Sequence, residues 1–95
     1  TNLDHARDFV ARELGALAAA DDTTRRLAAT VRTYLDEHGS RGRTAKRLNI
    51  HENTVSYRLR QAEELLDRSV DNRTLELRVA LALADLVDEN NSADG

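Results

Sequence analysis

Proline is absent from all 95 residues, and glycine occurs four times, at Gly15, Gly39, Gly42 and Gly95. A chain with so few backbone breakers has long stretches free to close the i to i−4 hydrogen-bond ladder. The alternating apolar–polar runs that a half-buried strand needs do not occur, and aromatic residues are 3% of the chain, which argues against a β-rich fold. The expectation is an all-α fold, a compact bundle of about five helices in one domain spanning residues 1–95. A chain this short buries roughly 60–65% of its unfolded surface. That suffices for one modest core and leaves little room for a deep catalytic cleft.

Apolar spacing places the elements. Phe9, Val10 and Leu14 share one face of a lead-in helix within residues 1–21, starting after Asn2 and ended or bent at Gly15. Asp21-Asp22-Thr23 suits an N-cap, and the helix it opens carries Leu27, Val31, Tyr34 and Leu35 before closing at His38-Gly39. A short helix from Arg41 to Leu48, a turn at Asn49-Ile50-His51 and a long helix from about Glu52 to Asp67 complete a core over residues 22–70. Asp71 or Asn72 is expected to cap a closing helix from Arg73 to about Asp88, within residues 71–88, and residues 89–95 read as a flexible polar tail. The closing helix is apolar on two sides, Leu75, Val79, Leu83 and Leu86 on one, Leu77, Leu81 and Ala84 on the other. One stripe serves the core. The other is either buried within the monomer or covered by a second copy or a neighbouring domain.

Several function classes are excluded. No cysteine is present, which removes disulfides, thiolate zinc, iron–sulfur clusters and a cysteine nucleophile. His5, His38 and His51 are far apart and no acid–His cluster has ligand spacing, so no metal and no cofactor are expected. Nucleophile-elbow, phosphate-loop and dinucleotide-binding signatures are all missing, and the chain is not expected to be an enzyme. The longest apolar run, Val79 to Ala84, is too short to span a membrane, and no signal peptide opens the chain. A chain that does not start with Met reads as a piece of a longer protein.

Charge then singles out one segment. The net charge of −3 conceals −2 over residues 1–40, +5 over 41–60 and −6 over 61–95. Phosphate attraction acts over about a Debye length, so the local +5 matters more for nucleic acid than the acidic whole. A solvated charged face that binds nothing accounts equally well for the charge alone.

The +5 segment reads RGRTAKRLNIHENTVSYRLR. Ala45 suits the close approach of two helices, Leu48 and Ile50 flank a turn, and Val55 and Leu59 anchor the second helix, which is the spacing of a helix-turn-helix. Asn49 sits where a left-handed residue is needed and tolerates it. At about 100° per residue, Val55, Leu59, Ala62 and Leu66 form a core stripe, with Asn53, Tyr57, Arg60 and Glu64 opposite and Ser56 on the flank. The candidate DNA-binding residues are Arg41, Arg43, Thr44, Arg47, His51, Glu52, Asn53, Thr54, Ser56, Tyr57 and Arg60. Bland roles compete. Arg60 has an i,i+4 partner in Glu64, Arg58 has acids in Asp36 and Glu37, and His51 and Thr54 suit local caps.

The run Thr44 to Arg60, followed by Ala62-Glu63-Glu64-Leu65, resembles the C-terminal DNA-binding domain of PucR/CdaR-type bacterial transcriptional regulators. Its most specific pieces are His51, Asn53-Thr54-Val55 and Tyr57-Arg58-Leu59, and the likeness extends over about residues 6–88. The turn is also similar, more broadly, to that of Fis-type proteins. The resemblance implies a Fis-like helix-turn-helix without a wing, double-stranded DNA as partner and an upstream sensory region of the same polypeptide. A cytoplasmic, nucleoid-associated location and a homodimer joined through the terminal helices are expected with it. Relatives often carry basic residues where this chain has Glu52 and Ser56, so its affinity and preferred bases are expected to differ. Two other functions stay open: a helical protein–protein interaction module without specific DNA binding, and a nonspecific architectural DNA binder.

Overall fold

The computed structural model describes the backbone of residues 1–94 and the side chains of residues 1–87. Five α-helices follow in order: α1 (Asn2–Leu14), α2 (Asp22–Asp36), α3 (Arg41–Leu48), α4 (Glu52–Leu66) and α5 (Thr74–Asp94), with a 3-10 turn at Gly15–Ala18 between α1 and α2. Among the described residues there is no strand, so the fold is the expected all-helical bundle.

Side-chain caps start the first four helices. Thr1 Oγ1 accepts from the Asp4 amide at 3.2 Å, Asp21 Oδ2 from Thr24 at 3.0 Å, Ser40 Oγ from Arg43 at 3.1 Å and His51 Nδ1 from Asn53 at 3.0 Å. Each cap satisfies an amide that has no intrahelical partner. The Thr24 hydrogen bonds hold the Asp21 carboxyl below its ordinary range. α2 stops where Gly39 takes φ 78°, and its amide donates to the Tyr34 carbonyl at 2.9 Å.

α2, α3 and α4 pack on one another, and α1 lies chiefly along α5. The core joins both groups through Val10, Leu14, Leu17, Val31, Tyr34, Val55, Leu59, Leu77 and Leu81. Tyr34 ties the two together. Its hydroxyl donates to Asp71 Oδ1 at 2.8 Å, and burial followed by that carboxylate raises its pKa. Asp71 is therefore engaged with α2 rather than capping α5. The segment before α5 is also held by Glu13, whose carboxylate takes Arg68 at 3.0 Å and Arg73 at 2.7 Å, and by Glu63, which accepts from the Val70 amide at 2.9 Å. Arg73, at φ 52°, stays outside the helix, which begins at Thr74.

α5 runs past Asp88, where its polar sequence suggested an end, to Asp94. Gly95 and the side chains expected to form a polar tail lie outside the described residues. Of the two apolar stripes, the one with Leu77, Leu81 and Ala84 faces the core, Leu77 and Leu81 buried and Ala84 partly so. Leu75, Val79 and Leu86 are 69%, 42% and 55% exposed, whereas Leu83 turns partly into the core. Among the described residues, no helix is long and apolar enough to cross a membrane.

Candidate nucleic-acid interface

The +5 segment folds into α3, a tight turn and α4. Asn49 ends α3 at φ 57° and ψ 48°, the left-handed conformation asparagine tolerates. The Ile50 amide donates to the Ala45 carbonyl at 3.0 Å, which folds the chain back over the end of α3. His51 then caps α4 through Nδ1. An imidazole that accepts on Nδ1 carries its proton on Nε2, which leaves a donor pointing away from the cap.

Val55, Leu59, Ala62 and Leu66 are buried, and this sets the rotation of α4. The opposite side of the helix necessarily faces out. Asn53, Tyr57 and Arg60 are exposed there, Tyr57 to 55%. Thr54 and Ser56 are half-buried on its flanks, and His51 and Glu52 are exposed at its start. The Glu52 carboxylate stands beside the first turn of α3, where a side chain at Gly42 would meet it at 3.8 Å. It also lies in the first turn of α4, where the helix dipole favours a negative charge.

The cations around this face divide into paired and unpaired. Among the described residues, Arg43, Lys46, Arg58 and Arg60 make no ion pair. The Arg60–Glu64 pairing open to the sequence is not made. Arg41 is exposed, with its guanidinium 5.5 Å from the centre of the Tyr34 ring. Arg47 reaches back to α2, 3.2 Å from Glu37 and 3.6 Å from Asp36. Arg78 takes the other oxygen of Asp36 at 3.5 Å, so the acids that the sequence offered Arg58 as one alternative hold Arg47 and Arg78.

One candidate is corrected. Thr44 is fully buried, and its hydroxyl donates to the Ser40 carbonyl at 2.7 Å within α3. It is buried beside Ala45 and is not available to a ligand. Conversely, Lys46 was not among the individual candidates, yet it is exposed and lines the shallow cleft with Gly42, Asn49, Ile50, His51 and Glu52. Its spacing from Arg43, three residues along the same helix, was the available signal. Among the described residues no group of His, Asp and Glu is arranged to hold a metal ion.

The family of PucR C-terminal helix-turn-helix domains matches residues 27–84, which include α3, the turn and α4 in full. The chain belongs to this PucR family. It carries the helix-turn-helix domain that this family places at the C-terminus. Two relatives match over a longer stretch of the chain than that segment. A purine catabolism regulatory protein of Bacillus subtilis (strain 168) is 39% identical over 83 residues, covering 85% of this chain and 16% of the relative. An uncharacterized protein in the pkwA 5′ region of Thermomonospora curvata is 37% identical over 86 residues, covering 90% of this chain and 48% of the relative. The PucR-type chain thus spans about one-sixth and about half of these two relatives. No solved structure matches it significantly.

Proposed function

We propose that this domain binds double-stranded DNA with α4 in the major groove, Asn53, Tyr57 and Arg60 addressing base edges or phosphate. The observation that carries this reading is the rotation of α4. Its buried stripe leaves those three side chains exposed beside cations that, among the described residues, make no ion pair. Arg41, Arg43, Lys46 and the Nε2 of His51 are assigned to phosphate, where contacts fix register without reading sequence. Arg47 contributes its charge from within its ion pairs. Glu52 accepts from a cytosine amino group or discourages other bases at that position.

The domain serves as the DNA-reading end of a cytoplasmic, nucleoid-associated regulator with a sensory region upstream; the greater length of its relatives supports a longer polypeptide. It does no catalysis itself. Two copies joined through terminal helices would present α4 to half-sites roughly 34 Å apart on one face of the duplex.

A gel-shift titration on duplexes selected from a random pool tests the base-reading claim. Arg60→Ala and Asn53→Ala are each expected to weaken the selected site by about 1–3 kcal/mol and to relax preference at one position. Equal affinity of parent and variants for selected and scrambled duplexes would leave a nonspecific architectural binder. Binding that ignores added salt would remove the phosphate contacts altogether.

A further inference from the structure

The outward side of α5 carries Leu75, Val79, Ala82 and Leu86, all exposed. Their spacing alternates four, three and four residues, the repeat of a helix seam that packs against another helix. At about 100° per residue they fall within a narrow arc, with buried Leu77, Ala80 and Leu81 on the far side. The helix is thus apolar on two opposite faces, and the fold covers only one of them.

One flank of the exposed seam bears Arg78 and Asp85. Arg78 meets Asp36 at 3.5 Å and Asp85 meets Arg32 at 2.9 Å, yet their side chains remain 52% and 56% exposed. A second copy lying antiparallel, with the two-fold axis level with Ala80 and Leu81, sets Leu75 against the partner's Leu86 and Val79 against the partner's Ala82. On the flank the same operation sets Arg78 near the partner's Asp85, and Asp85 near the partner's Arg78. A parallel pairing gives no such match, because it brings Arg78 toward the partner's Leu83. The small Ala82 beside Val79 lets the two helices approach closely at the axis, and the leucines close the seam at both ends.

We infer that the exposed face of α5 is a self-complementary surface on which a second copy of this chain docks antiparallel about a two-fold axis. A closed two-fold contact uses the same patch on both partners, and this patch supplies both halves of its own charge pairing. The inference rests on the dimeric part of the function proposed above. It is measured without DNA, so its failure leaves the DNA reading untouched.

The 95-residue chain lacks cysteine, so introduced thiols report alone. In an antiparallel dimer two copies of residue 75 lie about 16 Å apart along the axis, too far for a disulfide. Under mild oxidation, Leu75→Cys mixed with Leu86→Cys is expected to form a mixed dimer, while neither variant cross-links by itself. Sedimentation equilibrium of the unmodified chain up to about 1 mM is expected to show a dimer. Val79→Glu should weaken that association by more than about tenfold, by burying a charge in the seam, with its helical circular dichroism unchanged. Cross-linking of Leu75→Cys with itself would overturn the antiparallel arrangement, and a monomer at every concentration would overturn the dimer.

Discussion

The α3–α4 face and the outer face of α5 are both exposed, and they use charge in opposite ways. Around α4, Arg43, Lys46 and Arg60 make no ion pair among the described residues, and they stand beside polar Asn53 and Tyr57. Along α5, Arg78 and Asp85 are each tied to α2, and the residues between them are apolar. Exposed ion pairs contribute little to stability, so the pairing on α5 matters more for keeping the flank of an apolar seam neutral. Unpaired cations clustered on one face repel each other and persist at a small cost. An anionic ligand relieves that cost, whereas a second protein surface of the same sign would increase it. The contrast separates a face suited to phosphate from a face suited to a helix.

Three substitutions sharpen the contrast. The largest effect is expected where both faces share a support. Leu59→Ala empties a fully buried site under α4 and should cost about 2–5 kcal/mol in a denaturant melt, weakening both faces together. If only DNA binding fell while the melt stayed unchanged, the shared core would be the wrong account. A smaller loss is expected from Tyr34→Phe, about 1 kcal/mol, because the hydrogen bond from α2 to Asp71 disappears. The pH dependence carries a sign. Burial and Asp71 raise the Tyr34 pKa above 10.0, so the stabilisation is present below the unfolded value and is lost as pH rises through the folded one. Thermal melts of the parent should therefore fall in alkaline solution more steeply than those of Tyr34→Phe. The smallest effect is expected from Lys46→Ala. It should leave the melt and any self-association unchanged and lower the salt slope of DNA binding by about 1, with equal loss on all duplexes.

Much of this architecture was legible before any coordinates. Few breakers and a 3.6-residue period placed the helices, and Asp21, Gly39 and Asn49 marked ends that depend on neighbouring backbone alone. The outward side of α4 was legible because its other side holds a clean stripe, Val55 to Leu66. α5 offered no such answer, since apolar residues lie on opposite sides of it and periodicity ranks neither. Thr44 misled because a threonine in a basic helix reads as polar surface, whereas its hydroxyl can satisfy itself on the Ser40 carbonyl and then be buried. Glu13, joined to Arg68 and Arg73, carried no signal at all, because its partners lie more than fifty residues away.

By itself the sequence determined the order of the helical segments, the cap at Asp21, the stop at Gly39, the left-handed turn at Asn49 and the polar edge of α4. These depend on steric and hydrogen-bonding preferences within a few residues. Only the tertiary structure decided which stripe of α5 meets the core, that Asp36 and Glu37 hold Arg47 and Arg78 rather than Arg58, and that Asp71 serves Tyr34 instead of capping a helix. Those outcomes are set by how helices distant in the chain come to lie against one another, since an ion pair or a buried face goes to whichever neighbour packing brings within reach.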